Sequence, residues 1–300
     1  GSSSSSGKRS VHSAREQSVW GPHGGAGRGA RHTRGPTHLH LTHGRMLARR
    51  TAPLLLRGLP LLSLSRGGAG GPAFGTVDLA VDALRGAQAV AFDVDSTVIC
   101  EEGIDVLAEW CGKGPAVAEL TRSAMGGSMA FHDALSARLD LIRPSRAAVS
   151  ACLAAHPPRL SPGVGEVVER LHARGADVYL VSGGFRMMIE PVAELVGVPR
   201  ERIYANTLLF EDDEEGTYRG FDPEEYTSRD GGKPRVLSML KEKHGYSTMV
   251  MVGDGVTDMQ ARPPADAFIG YGGVTTRPAV EAGADWFVTD FAHVIQALED

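Results

Sequence analysis

AQAVAFDVDSTV, residues 87–98, joins an apolar run to two closely spaced carboxylates. Its apolar run 87–92 has the length of a strand and stops on two carboxylates, Asp93 and Asp95. A spacing of two puts both carboxylates on the same side of an extended segment, while Val94 points back into the core. Working outward, the runs 178–181, 248–252, 267–269 and 286–288 repeat the pattern of a short apolar strand that ends in small or acidic residues. Helical periods lie between them. In one, Ser161 is expected as N-cap with Pro162 following, Val164, Val167, Val168 and Leu171 share a face, and Gly175 ends the helix. Residues 233–244 repeat the design, with Pro234 near the start and Gly245 beyond the end. Strand then helix, repeated, implies an α/β fold, because parallel strands need crossovers and the crossovers pack on the sheet. Such sheets place their chemistry at the carboxyl ends of the strands.

Two stretches interrupt the alternation. Residues 101–158 carry helical periods only (Ile104, Leu107, Ala108, Cys111; Leu135, Leu139, Ile142; Val149, Cys152, Leu153), so they are expected to form an inserted helical subdomain that closes at Pro157-Pro158. Residues 203–221 read as a hairpin turning on the acidic run 211–216, a solvated loop rather than a calcium site.

Charge and composition bound the rest. The chain has 300 residues, 42% hydrophobic and 22% charged, ordinary for a globular protein. No stretch approaches the roughly 18 apolar residues of a spanning helix, so a soluble protein is expected. Cys100, Cys111 and Cys152 form no CxxC pair, which argues against both a disulfide framework and a zinc site. Residues 1–77 hold 11 lysines and arginines against Glu16 alone and show no usable hydrophobic period. They are expected as a disordered basic tail without the interleaved aromatics of a nucleic-acid surface. From Met46 the tail turns rich in Arg, Leu and Ser, as transit peptides are.

Four strand ends carry candidate chemistry: Asp93-Val94-Asp95-Ser96-Thr97, Ser182-Gly183-Gly184, Lys233 after Gly231-Gly232, and Gly253-Asp254-Gly255-Val256-Thr257-Asp258. Each alone is an ordinary turn or surface group. Together they supply what phosphoryl transfer requires: carboxylates to hold Mg²⁺, a positive point charge, and hydroxyl and N–H donors near glycine. One carboxylate of the Asp93/Asp95 pair can attack phosphorus while the other, its pKa raised by its neighbour, moves protons.

These four motifs, in this order, resemble those of the haloacid dehalogenase superfamily. FDVDSTVICEEGID, AMGG, SGGF, GGK and GDGVTDM narrow the resemblance to its phosphoserine phosphatase family, over about residues 78–300. The resemblance implies a parallel Rossmann-like sheet, with residues 78–100 and 159–300 as catalytic core and 101–158 as helical cap. It implies Asp93 as nucleophile and Asp95 as acid/base, with Mg²⁺ on the Asp93 carboxylate, the Asp95 main-chain carbonyl and Asp254, and Asp258 supporting the metal or the lysine. Phosphate would meet Ser182, Gly183, Gly184, Lys233, Thr257 and Gly126. In the cap, Glu102 would receive a substrate ammonium and Arg138 a carboxylate, Met125 and Phe131 would close over the substrate, and Arg277 would stand on the substrate side. The implied reaction is Mg²⁺-dependent hydrolysis of O-phospho-L-serine, the last step of serine biosynthesis. The expected partner is that small molecule, with no nucleic acid or membrane and with a homodimer allowed. The expected compartment is the cytoplasm, or a plastid or mitochondrion if the tail is a transit peptide. Against the pattern, Ala130 stands where a proline is expected before Phe131, and Pro191 falls inside a helical period, which it should bend or end. Two rival readings are a phosphatase for another ester such as phosphoethanolamine, and a phosphate-sensing module without catalysis. The pairing of Glu102 with Arg138 counts against the first, and the complete set Asp93, Asp95, Lys233 and Asp254 against the second.

Overall fold

The computed structural model describes residues 74–124 and 130–299. Met125, Gly126 and the basic tail as far as residue 73 lie outside them. The described residues open with α1 (Phe74–Arg85), β1 (Ala89–Phe92) and a π turn (Val94–Val98). Four helices follow in succession: α2 (Gly103–Trp110), α3 (Gly114–Ala124), α4 (Phe131–Ile142) and α5 (Arg146–Ala155). Next come α6 (Val164–Ala173), β2 (Asp177–Phe185), α7 (Arg186–Val196), β3 (Ile203–Asn206), β4 (Leu208–Phe210) and β5 (Tyr218–Phe221). The last part holds α8 (Gly232–His244), β6 (Met249–Gly253), α9 (Val256–Met259), β7 (Ala267–Tyr271), α10 (Pro278–Gly283), β8 (Trp286–Val288) and α11 (Phe291–Glu299).

Six strands form one sheet in the order β3-β2-β1-β6-β7-β8, every pair parallel. Alternation along the strands divides the core in two. Val90, Phe92, Val178, Leu180, Val250 and Val252 face one side with α1, α6, α7 and α11, while Ala89, Ala91, Tyr179, Val181, Met249 and Met251 face the other with α8. The chain leaves β1 toward β2 on one side and returns to β6 on the other, so the strand order reverses at β1. An open α/β sheet has its ligand crevice at that point, beyond the carboxyl ends.

The helical insertion has a core of its own, in which Leu107, Val117, Leu135, Leu139, Val149 and Cys152 pack together with Phe185, Leu208 and Tyr218. Those last three come from β2 and the β4–β5 ribbon, so the insertion stands directly over the end of β2. No helix among the described residues is long and apolar enough to cross a membrane.

Several local expectations change. Residues 203–221 do not form one hairpin: β3 joins the main sheet beside β2, and only β4 and β5 pair antiparallel. The apolar character of Ile203 and Ala205, both buried, serves the sheet core. Ser161 does not cap α6, because the helix starts at Val164 with Gly163 as N-cap, and Ser161 and Pro162 form the turn leading in. Gly175 and Gly245 take positive φ just past α6 and α8, as helix-ending glycines do. Pro191 lies inside a continuous α7. Ala130 adopts φ −63° and ψ 152°, a φ within the range that a proline ring fixes. Helix α1 begins ahead of the expected boundary at residue 78 and buries Ala80 and Leu84 in the core.

Candidate active site

Asp93 follows β1 directly, and its N–H donates to the Val252 carbonyl at 2.9 Å, which ties the first residue beyond β1 to β6. Asp93 and Asp95 keep extended backbone, with Val94 fully buried between them. At Ser96 the chain switches to φ 54° and ψ 9°, left-handed backbone that is uncommon for serine, and turns up toward the helical insertion. Lys233 arrives from the start of α8. A Cβ at Gly232 would fall 2.2 Å from the Tyr226 carbonyl oxygen, so only glycine lets the chain pass there and bring the lysine in.

Lys233 is buried, with Nζ 2.8 Å from Asp93 Oδ1 and 2.5 Å from Asp258 Oδ1. Burial works to lower its pKa, but Asp258 and Asp93 outweigh it and hold the ammonium charged well above the usual lysine value. Asp258 also accepts from the Gly255 N–H at 2.9 Å, which fixes it behind the lysine. Both bonds to Asp93 fall on Oδ1, the second coming from the Val94 N–H at 2.7 Å. Among the described residues Oδ2 accepts none.

Asp95 lies in the same cavity, its Oδ1 accepting from the Gly103 N–H at 2.7 Å. Burial, with Glu102 and Asp93 beside it, pushes its pKa up to about 8. A Cβ on Gly184 would come within 2.8 Å of Asp95 Oδ2, so β2 can approach the carboxyl only as glycine. Ser182, buried on β2, accepts from the Gly184 N–H at 2.9 Å.

Asp93, Asp254 and Asp258 present oxygens within 4.8 Å of one another, all buried. Arg277 Nε donates to Asp254 Oδ2 at 2.9 Å, and Thr97 to Oδ1 at 3.4 Å. Burial and then Asp93 raise the Asp254 pKa, with Arg277 opposing. Three close carboxyl groups offer hard oxygen donors of the kind that fit a divalent cation such as Mg²⁺, with Lys233 and Arg277 beside them. The Asp95 side chain is turned to Gly103 and is not part of the trio.

The cavity encloses about 620 Å³ between the strand ends and the insertion. Glu102, Phe131 and Arg138 line it from above, and Ser182, Gly183, Gly184, Thr257 and Arg277 from the core. Glu102 precedes α2, and its Oε1 accepts from Ser96 Oγ at 2.8 Å and lies 3.5 Å from Arg277 Nη2. Burial raises its pKa, against the Ser96 hydrogen bond. Arg138, on α4, donates from Nε to the Ala134 carbonyl at 3.1 Å and makes no ion pair among the described residues. Burial lowers its pKa, opposed by Asp105, Glu102 and Asp95.

The sequence reading missed some supports. Asn206 donates from Nδ2 to the Gly183 carbonyl at 2.7 Å, its Oδ1 accepts from the Thr227 hydroxyl at 3.0 Å, and the residue so braces the Ser182-Gly183-Gly184 turn. Asp230 accepts from the Phe131 N–H at 3.2 Å and ties the start of α4 to the segment that delivers Lys233. The only trace of Asn206 was a polar residue at the end of an apolar run, and Asp230 carried no signal at all.

Residues 90–261 match the family model for haloacid dehalogenase-like hydrolases. The chloroplastic phosphoserine phosphatase of Arabidopsis thaliana is 53% identical over 221 residues, 73% of this chain and 74% of that protein. The phosphoserine phosphatase of Bos taurus is 52% identical over 214 residues, 71% of this chain and 94% of that one. The chain belongs to the phosphoserine phosphatase branch of the haloacid dehalogenase-like hydrolases. Its fold agrees with a solved structure of that branch, the phospho-aspartyl intermediate analogue of a phosphoserine phosphatase, with TM-score 0.60 and 26% identity over 70% of this chain and 98% of that one. Asp93, Asp95, Lys233 and Asp254 are gathered in one cavity, where the strand order reverses.

Proposed function

We propose that this chain hydrolyses O-phospho-L-serine to serine and phosphate through an acyl phosphate formed on Asp93. The observation that carries the reading is the pair of unlike carboxyl groups at the end of β1. Asp93 is paired with Lys233 through Oδ1 and has no donor to Oδ2 among the described residues, and Asp95, its pKa pushed up to about 8, keeps its proton at neutral pH. Environments that separate two such groups assign the nucleophile and the acid.

Asp93 Oδ2 attacks phosphorus and the bond to the seryl oxygen breaks as Asp95 gives that oxygen its proton. Serine leaves, and the phosphoryl group remains on Asp93. Asp95, now a carboxylate, takes a proton from water as the water oxygen attacks phosphorus, and the Asp93 carboxylate and inorganic phosphate are released. Lys233, the Ser182 hydroxyl, Thr257 and the Gly183 N–H surround the phosphate oxygens where negative charge gathers, and the Gly184 N–H orients the Ser182 hydroxyl by donating to it. Mg²⁺ held by Asp93, Asp254 and the Asp95 carbonyl, with Asp258 behind Lys233, would neutralise substrate oxygens. Glu102 receives the substrate ammonium, Arg138 its carboxylate, and Phe131 covers it, with Arg277 holding Glu102 and Asp254 together. Arg138 favours this reading over phosphoethanolamine, which has no carboxylate to pair with it. The acid-free, Arg- and Leu-rich stretch from Met46 fits an organelle-targeting peptide.

Phosphate release from a panel of phosphate esters, with and without Mg²⁺, tests the proposal. It expects Mg²⁺-dependent turnover with phosphoserine preferred. Equal rates on all esters, or full activity in chelator, would contradict it.

A further inference from the structure

Ser96 is one of two non-glycine residues with positive φ among those described, and it is buried. Left-handed backbone is unfavourable for a serine and free of strain for a glycine. A serine brings a hydroxyl that a glycine lacks, and here it donates to Glu102 Oε1 at 2.8 Å. The main chain repeats the link, since the Ser96 N–H donates to the Glu101 carbonyl at 3.1 Å. Turn and hydroxyl together fasten the end of β1 to the residue that opens α2. Arg277 approaches the same carboxylate oxygen at 3.5 Å, so both donors converge on Oε1. Among the described residues no group donates to Oε2, and Glu102 lines the cavity.

Resting on the reading that Glu102 receives the substrate ammonium, we infer that Ser96 is a positioning residue for substrate selection. Its hydroxyl anchors Oε1 of Glu102 so that Oε2 is presented to an α-ammonium group. The anchoring acts on one end of the substrate only. Phosphate is bound by other residues and proton transfer belongs to Asp95, so a loss of the hydroxyl should appear in ammonium recognition and not in the chemical step. A hydrogen bond to a carboxylate also favours its charged form, the form an ammonium needs.

The test compares Ser96→Ala, which removes the hydroxyl and keeps the strained backbone, with Ser96→Gly, which removes both. KM and kcat are measured on full-length protein for O-phospho-L-serine and for 3-phosphoglycerate, which keeps the carboxylate and lacks the ammonium. KM for phosphoserine should rise about tenfold in both variants, the size expected for losing one hydrogen bond to a charged group. The kcat should stay within about threefold, and the constants for 3-phosphoglycerate should not move. Ser96→Thr, which restores a hydroxyl, should recover part of the loss. A rise in one variant only would assign the effect to the backbone and overturn the inference, as would an equal rise for both substrates or no rise in either. Glu102→Gln serves as control. If it raises KM for phosphoserine while Ser96→Ala and Ser96→Gly do not, Ser96 alone loses its role. If wild-type protein fails to turn over phosphoserine, the proposed function fails and this inference falls with it.

Discussion

Replacing Arg138 with alanine should collapse the preference for phosphoserine over phosphoethanolamine. Arg138 spends only its Nε on the Ala134 carbonyl of its own helix and makes no ion pair among the described residues. Its terminal nitrogens are therefore left for an anion in a cavity where burial already lowers its pKa. Truncating one partner of a desolvated charge pair costs about 2 to 5 kcal/mol. Because the side chain is only half-buried, the lower part of that range applies, about 2 to 3 kcal/mol. At ~1.4 kcal/mol per factor of ten, kcat/KM for phosphoserine should fall about 30- to 150-fold. Phosphoethanolamine, which has nothing to offer the guanidinium, should lose about threefold or less. The assay is phosphate release from both substrates by wild-type and Arg138→Ala protein. An unchanged ratio would remove Arg138 from the substrate site, and equal losses on both substrates would mean that the insertion itself was damaged.

Other outcomes follow from the same geometry. Asp95 must be protonated to act as acid, so kcat/KM should decline on the alkaline side above pH ~8, while Asp95→Asn, slower by roughly 10² to 10⁴, should show no such decline. The native state holds the Asp95 proton more tightly than the unfolded chain, so this group's contribution to stability diminishes as pH rises from ~4 through ~8. Thermal unfolding of Asp95→Asn should therefore occur at a higher temperature than that of wild type above pH ~8, and a lower one would contradict the shift. Lys233→Ala leaves Asp93 and Asp258 buried without their cation, and urea unfolding should show a loss of about 3 to 5 kcal/mol with turnover abolished. A loss below about 1 kcal/mol would mean that Lys233 does not hold the two buried carboxyl groups in ion pairs. Chelation should stop turnover, Mg²⁺ should restore it, and excess Ca²⁺, which takes more ligands in looser geometry, should inhibit it. Full rates with Ca²⁺ alone would rule out a tight octahedral site.

The sheet was legible because its strands are short apolar runs that end on the residues doing the chemistry. Asp93, Ser182 and Asp254 each stand in or just after such a run, and an open parallel sheet leaves one place for them to meet. β3 was hidden because a four-residue strand followed one residue later by another reads as a single arm of a hairpin. Only the long-range pairing with β2 separates them, and no local pattern encodes it. The start of α6 was misplaced for a related reason. Ser161-Pro162 has the chemistry of a helix start, but Gly163 at φ 82° places a turn before the helix begins. In the site, residue types that carry charge announced themselves, whereas bracing interactions did not. Asn206 reaches Gly183 across 23 positions and Asp230 reaches Phe131 across 99, distances at which sequence spacing says nothing. The left-handed turn at Ser96 was likewise invisible, since nothing distinguishes that serine from any other after two carboxylates.

The central claim, a phosphoryl group carried by Asp93, is tested most directly by rapid acid quench of the enzyme during turnover of phosphate-labelled O-phospho-L-serine, followed by peptide mapping. Label is expected on the peptide containing Asp93, removed by hydroxylamine as an acyl phosphate should be, and absent from Asp93→Asn protein. Label on another residue, or steady turnover of Asp93→Asn shown free of deamidation, would contradict it.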